Sequence, residues 1–408
     1  MNQALKDRAK ALDEKDPFGH LREAFFLPEG VIYFDGNSLG AMPKAALDTV
    51  IETTRQEWAT DLITSWNKAG WFALPTVYGD KLAPIIGAQA GEVVICDSTS
   101  INLYKALFAA LSLRPERTVI LAENSSFPTD LYMVEGALAA RPELEMRLAD
   151  NLLDSLDQTV AVVLVNHVDY RSGLIADVEQ ITQRAHELGA IVIWDLCHSA
   201  GVLPVQLTES HVDLAIGCTY KYLNGGPGAP AFIYCAQKHL PHVRQPLSGW
   251  WGHAAPFAFD TEFTPDAGIR KFLCGTQSIL SFRALEAGLD VFAGLDMAEL
   301  RTKSQSLTSL FIDLVEAEVP SLTLAAPREG AKRGSQVSFT HPHAYPIVQA
   351  LIERGVVGDF RMPNVLRFGF SPLYLSHADV IKAVEILKEI MDSNAWQATR
   401  FQARSAVT

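Results

Sequence analysis

The sequence predicts an α/β protein with one large domain, built on a mainly parallel sheet, and one small α+β domain. Two observations support this prediction. Between residues 92 and 218, short apolar runs alternate with helical stretches, which is typical of a parallel sheet with helices on both faces. After about Cys274 the pattern changes to a long helical stretch followed by short strands and helices, which indicates a second domain of mixed type.

The strands of the large domain are predicted from apolar runs of strand length. These runs cover residues 92–96, 117–122, 159–166, 190–195 and 212–218. Helices are predicted over 101–111 and 177–188, and Gly189 ends the second one. Because a parallel sheet binds its ligand at the carboxyl ends of the strands, the polar residues that follow these runs are the candidates for a functional site.

The small domain is predicted from the pattern that follows Cys274. A helical stretch covers 279–319, with a break near Gly294, and is followed by strand 336–339, helix 345–354, strand 365–370 and helix 378–392. We therefore expect residues 36–275 to form the large domain, and 276–408 to form the long connecting helix and the small domain. Residues 1–35 are expected to be an N-terminal segment that packs with the small domain.

Composition and charge narrow the functional classes. The 408 residues are 48% hydrophobic and carry a formal net charge of −13, so nucleic acid and anionic membranes are not expected as partners. The first residues lack the apolar core of a signal peptide, and no apolar run reaches the roughly 18 residues of a membrane span, which favours the cytoplasm. The five cysteines contain no CxxC pair, so neither a metal site nor a disulfide framework is expected.

One lysine stands where a reactive amine is expected. Lys221 follows the last predicted strand of the large domain, lies between two tyrosines and precedes the glycine-rich segment 225–228. Burial at the strand end would favour its neutral amine, which is the nucleophilic form. Asp195 ends the preceding predicted strand, where a buried carboxylate needs a cation.

A single cofactor would satisfy both Lys221 and Asp195. Pyridoxal 5'-phosphate (PLP) forms an imine with a lysine and carries a ring nitrogen that is best kept protonated. A structural ion pair between Asp195 and Lys221 is the alternative. The sequence contains neither a Walker loop nor a GxGxxG motif, so nucleotide binding has little support.

A phosphate site is predicted at the start of the helix at residue 101. The segment 97–100 (DSTS) offers backbone N–H groups and the hydroxyls of Thr99 and Ser100 to an anion, and Tyr220 is a second candidate donor. Taken alone, the same segment is more typical of a Ser/Thr helix cap.

Three further side chains are candidates for contacts with a flat cofactor ring. Phe127 can stack on the ring, Asp130 lies in the same loop, and His198 can reach a ring oxygen or nitrogen. Taken alone, Phe127 is also typical of a core residue, Asp130 of a helix cap and His198 of a structural histidine.

Six motifs together resemble the kynureninase family. They are YFDGNSLG (33–40), FPTD (127–130), WDLCHSAG (194–201), CTYKYLNGGPG (218–228), PLSGWWGH (246–253) and PNVLRFGFSPLY (363–374). The resemblance runs from about Tyr33 to Tyr374. It implies the fold type I architecture of PLP enzymes, with a seven-stranded, mainly parallel sheet in the large domain and a homodimer with shared active sites. The implied reaction is hydrolysis of L-kynurenine to anthranilate and L-alanine, a step of tryptophan degradation.

The resemblance also implies which residues hold PLP. Lys221 forms the imine, Asp195 holds the pyridine ring, and Tyr220 is expected to act in catalysis as well as at the phosphate. Trp250 and Thr276 are expected to reach the phosphate in the site of the partner subunit. The residues expected to bind the cofactor are Thr99, Ser100, Phe127, Asp130, Asn166, Asp195, His198, Tyr220, Lys221, Trp250 and Thr276.

The substrate residues rest on the same resemblance. Arg367, in the apolar run VLRFGF, matches the clamp for the substrate carboxylate, a role suited to a planar bidentate donor. An exposed arginine on an edge strand is the alternative. Asn37, Trp66 and Gly275 are also expected to contact the substrate. Trp66 and Gly275 favour L-kynurenine over its 3-hydroxylated form, because they offer few partners to a ring hydroxyl.

Other functions fit the same residues less well. A cysteine desulfurase or an aminotransferase of the same fold is the nearest alternative. However, no cysteine follows Cys274, and Tyr220 stands where desulfurases place a histidine before the lysine. A non-catalytic PLP-binding or interaction protein would not need to keep Lys221, Asp195 and Arg367 together.

Overall fold

The structure, a computed structural model, describes residues 3 to 404. Its helices are α1 (Gln3–Asp13), α2 (Lys44–Glu52), α3 (Ser65–Lys68), α4 (Leu74–Leu82), α5 (Thr99–Ser112), α6 (Pro128–Ala140), α7 (Leu152–Ser155), α8 (Val178–Glu187), α9 (Ile279–Asp290), α10 (Met297–Glu318), α11 (Ala344–Glu353) and α12 (His377–Asp392). Its strands are β1 (Phe25–Phe26), β2 (Ile32–Tyr33), β3 (Met42–Pro43), β4 (Val93–Ile95), β5 (Val119–Glu123), β6 (Glu145–Ala149), β7 (Val160–Asn166), β8 (Ile191–Asp195), β9 (Leu214–Gly217), β10 (Phe232–Cys235), β11 (Thr323–Leu324), β12 (Gln336–Thr340), β13 (Val356–Val357), β14 (Asp359–Arg361) and β15 (Val365–Gly369).

A seven-stranded sheet with the strand order β4-β10-β9-β8-β7-β5-β6 forms the centre of the large domain. The strands from β9 to β6 are parallel, whereas β10 is antiparallel to both β9 and β4. The predicted fold class, with a large and mainly parallel seven-stranded sheet, is therefore confirmed. Each of the five predicted apolar runs contains one of these strands.

The other two strands of this sheet were not predicted from their residues. Strand β6 lies at the edge of the sheet and keeps most of its side chains partly or fully exposed, so it has no continuous apolar run. Strand β10 is only four residues long and follows a segment rich in glycine and proline. Strand β6 is polar because it lies at the edge, whereas β10 is apolar and buried but too short to stand out beside the glycine- and proline-rich segment before it.

Both faces of the large sheet are buried, which explains the continuous apolar runs of its central strands. Along β8, Ile191 and Ile193 pack into the core on one face, and Val192 and Trp194 pack into the core on the other. Helix α5 covers the first face and α8 the second. Asp195 is the first polar residue at the end of this apolar strand, at the edge where β7, β8 and β9 all end.

The small domain contains a four-stranded antiparallel sheet with the order β11-β12-β15-β14. The predicted long helical stretch is divided into α9 and α10, and Gly294 takes a left-handed φ of 75° between them. Helix α1 packs against α12, where Asp13 accepts a hydrogen bond from His377 N (2.7 Å). The predicted domain boundaries stay predictions. Between residues 3 and 404, no helix is both long enough and apolar enough to cross a bilayer.

Candidate active site

A cavity of about 650 Å³, counted with its adjoining solvent, lies at the carboxyl edge of the large sheet. Its wall is formed by Thr99, Ser100, Phe127, Thr129, Asp130, Asn166, Val168, Tyr170, Asp195, Cys197, His198, Tyr220 and Lys221. These residues come from the segments that follow β4, β5, β7, β8 and β9. All the residues predicted to bind the cofactor, other than Trp250 and Thr276, are part of this wall.

Lys221 is held by a tight turn after β9. Thr219 Oγ1 donates to Pro230 O (2.6 Å), and Gly225 N donates to Thr219 O (2.9 Å), so the segment closes on itself. A Cβ atom on Gly40 would lie 2.2 Å from Lys221 O, so only glycine lets that chain pass beside the turn. The Lys221 Nζ atom points into the cavity and lies 3.1 Å from His198 Nε2.

The charge state of Lys221 differs from the sequence-based expectation. Burial lowers the pKa of its amine, but the acidic groups around it, led by the Cys218 thiol, outweigh burial and hold the pKa above its ordinary value. The expectation that burial leaves Lys221 neutral is therefore wrong. For His198, burial and then the Lys221 charge lower the pKa well below its ordinary value, so a neutral imidazole faces a protonated amine.

A carboxylate pair bridged by an amide forms the floor of the cavity. Asn166 and Asp195 are register partners on β7 and β8, and Asn166 Nδ2 donates both to Asp195 Oδ2 (3.0 Å) and to Asp130 Oδ2 (2.7 Å). Asn166 Oδ1 accepts from Phe127 N (2.7 Å). Burial, and then the charge of Asp195, raise the pKa of Asp130 well above its usual range. The raised pKa favours the protonated form of Asp130, which reduces the repulsion between the two carboxyl groups.

Asp195 has no cationic partner, although it is only 6% exposed. Its Oδ1 accepts from Cys197 N (2.7 Å). In the described part of the chain, no Lys, Arg or His side chain forms an ion pair with it, so the predicted alternative of an Asp195–Lys221 pair is wrong. A buried carboxylate that faces a cavity without a cation is costly unless a bound group supplies the charge.

The N-terminus of α5 provides the anion site. Ser98 is the N-cap, and its side chain accepts from Ile101 N (3.5 Å). The next two residues, Thr99 and Ser100, line the cavity. The helix-cap alternative and the phosphate prediction are thus compatible, because the cap is Ser98 and the cavity hydroxyls are those of Thr99 and Ser100. Phe127 and Tyr220 flank the space between this end and Lys221, with ring centroids 6.0 Å and 5.9 Å from Lys221 Nζ.

Arg367 lies behind the cavity wall. It is 2% exposed on β15, which has a neighbour on each side, so the alternative of an exposed edge-strand arginine is wrong. Arg367 Nη1 donates to the carbonyl oxygen of Tyr170 (2.7 Å), which lines the cavity. Asn37 is buried beside it, and its amide oxygen accepts from Arg367 Nε (3.1 Å) when its NH2 faces Asp35.

The remaining predicted residues lie away from this chain's cavity. Trp66 and Trp250 belong to one aromatic cluster, with ring centroids 5.7 Å apart, and Trp250 is 37% exposed. Gly275 and Thr276 are exposed, and a Cβ atom on Gly275 would meet nothing within 4 Å. The described structure therefore does not bring these four residues to the site formed by Lys221.

Known proteins are similar to this chain in sequence. The model of the kynureninase C-terminal domain matches residues 300–387. A kynureninase from Burkholderia pseudomallei is 52% identical over 413 residues, which cover 99% of each chain. A kynureninase from Pseudomonas fluorescens is 52% identical over 408 residues, which cover 98% of each chain. The chain belongs to the kynureninase family. The family predicted from the six motifs is confirmed, and with it the predicted enzyme class and PLP as cofactor.

More distant solved structures share the fold. A cysteine desulfurase from Thermococcus onnurineus, 20% identical, has a TM-score of 0.76 and covers 92% of this chain and 98% of its own. A C-DES variant with glycine covalently linked to the PLP cofactor is 18% identical and has a TM-score of 0.78. The match covers 90% of this chain and 99% of that chain. The fold type I prediction is confirmed. At this identity the likeness extends to the fold alone, so a desulfurase activity gains nothing from it.

The cavity fits the cofactor of the kynureninase family. Lys221 is the lysine that would hold PLP, and the uncompensated Asp195 carboxylate suits its protonated ring nitrogen. Thr99, Ser100 and the α5 N-terminus suit its phosphate. In the part of the chain that the structure describes, no group of three or more His, Cys, Asp or Glu side chains could hold a metal ion.

Some kynureninase-site residues were not predicted from the sequence. Thr129, Val168, Tyr170 and Cys197 also line the cavity. Thr129 and Cys197 stand inside motifs that had been identified, so a residue-by-residue reading of those motifs would have found them. Tyr170 lies four residues beyond the end of β7, in a loop without any motif, and no signal in the sequence marks it.

Proposed function

We propose that this chain hydrolyses the Cβ–Cγ bond of L-kynurenine, giving anthranilate and L-alanine, with PLP bound in the cavity. The observation that carries the proposal is the buried Asp195 carboxylate, which lines the cavity together with Lys221 but forms no ion pair with any described side chain. When bound, PLP supplies an electron sink for the bonds at the substrate's Cα. Asp195 keeps the cofactor's ring nitrogen protonated and so maintains that sink.

Lys221 has two tasks in this proposal. Its amine would hold the cofactor and, once the substrate is bound, would be free to take the proton from the substrate Cα. His198 Nε2, at 3.1 Å, is the nearest acceptor for a Lys221 proton and orients the amine. Water adds to the side-chain ketone before the Cβ–Cγ bond breaks, and anthranilate leaves before alanine.

The remaining side chains bind and orient the cofactor and the substrate. Thr99, Ser100 and Tyr220 hold the phosphate, and Phe127 covers the ring. Burial raises the pKa of Tyr220 to about 12, so its phenol keeps its proton and can donate a hydrogen bond. Arg367 binds the substrate carboxylate through the edge of its guanidinium that reaches Tyr170.

We also propose a homodimer in which each subunit completes the other's site. Trp250 and Thr276 would reach the phosphate in the site of the partner subunit, and Trp66 and Gly275 would contact its substrate ring. Trp250, Gly275 and Thr276 are exposed, and none of the four residues lines this chain's own cavity, which supports the proposal. A cytoplasmic location is supported by the cysteines, all of which are free.

Hybrid dimers test the shared sites. Lys221→Ala and Thr276→Ala variants are each expected to be nearly inactive, because every site in either homodimer lacks one group. Mixing the two after dissociation should restore up to about a quarter of the activity, since one site of each hybrid has both groups. A Lys221→Ala chain mixed with a second Lys221→Ala chain is the control. No recovery in verified hybrids would contradict the shared sites.

The reaction is tested directly with the purified holoenzyme. Incubation with L-kynurenine should release fluorescent anthranilate and alanine in equal amounts, whereas Lys221→Ala should release neither. Lys81→Ala, which removes a lysine paired with Asp290 on the surface, should leave the rate unchanged. Incubation with L-cysteine tests the desulfurase alternative. Release of sulfide without anthranilate would overturn the proposed function.

A further inference from the structure

The guanidinium of Arg367 is fixed along one edge by an acidic side chain that the proposed reaction does not use. Asp359 lies opposite Arg367 on β14, and its Oδ1 accepts from Arg367 Nε (2.8 Å) while its Oδ2 accepts from Arg367 Nη2. This is a bidentate pair in which both side chains are almost fully buried. Ser38 Oγ accepts from Arg367 Nη2 (3.0 Å) and donates to Asp359 Oδ2 (2.8 Å), which ties the pair together.

The other edge of the same guanidinium points toward the cavity. Nη1 donates to Tyr170 O (2.7 Å), and Tyr170 is part of the cavity wall. Asp359 therefore binds the edge that faces away from the cavity. In the proposed function, a carboxylate bound in the cavity would approach the Nη1 side of the guanidinium, where it would compete with Tyr170 O and not with Asp359.

Below about pH 7, the acidic side chains around Arg367 do not neutralise the whole positive charge of its cluster. Asp359 also pairs with Arg361 (2.7 Å), so one carboxylate is shared by two guanidinium groups. Asp35 is the second acid nearby, but burial and then the Asp359 charge raise its pKa to about 7, which leaves it largely neutral below that pH. Below about pH 7 the cluster thus keeps a net positive charge, although Arg367 itself has an acidic partner.

We propose that Asp359 is the positioning residue of the carboxylate clamp: it fixes the plane of Arg367 so that Nη1 faces the cavity, and Arg361 keeps the pair cationic. This rests on the proposed function, in which Arg367 binds the substrate carboxylate. An arginine without that partner would have to be held by hydrogen bonds to neutral groups, and its planar fork would lose its fixed direction. Asp359 touches neither the substrate nor the cofactor.

The test is Asp359→Asn in the holoenzyme, which keeps the shape of the side chain and removes its charge. Losing one strong charge-assisted interaction should raise KM for L-kynurenine by about tenfold to a hundredfold, while kcat changes by less than about threefold. The inhibition constant of L-alanine, which has a carboxylate, should rise in parallel. The inhibition constant of the decarboxylated analogue of L-kynurenine should not change.

Two controls separate positioning from general damage. Asp16→Asn breaks another buried acid–cation pair, with Lys303 (2.6 Å), far from the cavity, and should leave both inhibition constants unchanged. If Asp359→Asn fails to fold, Ser38→Ala removes the hydroxyl that ties Arg367 to Asp359 and should raise KM by about threefold to tenfold. Cofactor absorbance and thermal melting establish that each variant is folded.

The possible results distinguish the positioning role of Asp359 from the carboxylate clamp of Arg367. An unchanged or lower KM in folded Asp359→Asn, or equal weakening of the decarboxylated analogue, overturns the positioning role. Arg367→Gln distinguishes this failure from failure of the proposed function. If Arg367→Gln raises KM and Asp359→Asn does not, only the positioning role is lost. If Arg367→Gln leaves KM unchanged, the carboxylate clamp itself is wrong.

Discussion

A fully buried lysine next to the phosphate end of the cavity allows a test of how the Lys105–Asp97 ion pair affects stability and PLP binding. Lys105 is 0% exposed on α5, and its Nζ lies 2.5 Å from Asp97 Oδ2 and 2.5 Å from Phe272 O. Asp97 directly precedes the N-cap of α5 and takes a left-handed φ of 47°. Lys105→Met keeps the unbranched shape of the side chain, but it leaves the Asp97 carboxylate without its cation.

The magnitude follows from the burial of the two partners. Removing one partner of a buried pair costs about 3 to 5 kcal/mol, and the 22% exposure of the Asp97 side chain favours the lower end. The free energy of unfolding should therefore fall by roughly 3 kcal/mol. An uncompensated charge at the helix terminus also opposes the phosphate by about 1 to 2 kcal/mol, so the Kd of PLP should rise about tenfold.

PLP titration and urea unfolding of the apoenzyme measure both quantities. Lys303→Met, which breaks a different buried pair, with Asp16, is the matched control and should lose stability without losing PLP affinity. Adding Asp97→Asn to Lys105→Met should restore most of the affinity, because asparagine is neutral and tolerates a left-handed φ. If the double variant binds PLP no more tightly than Lys105→Met alone, the charge reasoning is refuted.

Three further predictions concern Asp195, His167 and the substrate ring. Asp195→Asn should keep KM for L-kynurenine but lower kcat by roughly a hundredfold or more, and an unchanged kcat would remove Asp195 from the mechanism. Burial, and then the Arg301 charge, lower the pKa of His167 to about 4. As the pH falls, the unfolded chain therefore binds a proton at this histidine before the folded protein does. The free energy of unfolding should fall by about 3 kcal/mol between about pH 6.5 and about pH 4. His167→Phe should flatten that part of the unfolding profile, and an equal slope in the variant would contradict the assignment. If Trp66 and Gly275 contact the substrate ring as proposed for the dimer, a ring hydroxyl would lack a partner there, at a cost of about 1 to 3 kcal/mol, and kcat/KM should favour L-kynurenine over 3-hydroxykynurenine about tenfold to a hundredfold. Trp66→His with Gly275→Ser should narrow the ratio, and a ratio of one in the unmodified enzyme would falsify the preference.

Much of the fold could be predicted because burial on both faces of a parallel sheet leaves a direct trace in the sequence. Strands β7 and β8 are apolar at every position up to Asn166 and Asp195, so both the strand and the polar residue at its end were evident. The edge strand β6 carries no such trace, because its side chains meet solvent. Periodicity reports burial, so it misses an exposed edge strand such as β6, and it also misses a buried strand as short as β10.

The contents of the cavity were more predictable than the surroundings of Arg367. Lys221, Asp195 and Thr99 follow apolar strands, where parallel-sheet topology brings strand ends together. The Arg367–Asp359 pair depends on how β14 and β15 align, and the contact of Ser38 joins segments far apart in the chain. The charge of Lys221 was mispredicted for a related reason: the effect of burial was foreseen, but the acidic groups that outweigh it come from the packed site.

The central claim is that this cavity is the active site and that Lys221 is the residue that holds the cofactor. Borohydride reduction of the holoenzyme, followed by digestion and peptide mapping, tests it most directly, because reduction attaches PLP irreversibly to the lysine it is bound to. A single modified lysine, Lys221, and complete loss of anthranilate release are expected in the reduced protein. Attachment to another lysine, such as the buried Lys105 beside α5, would contradict it.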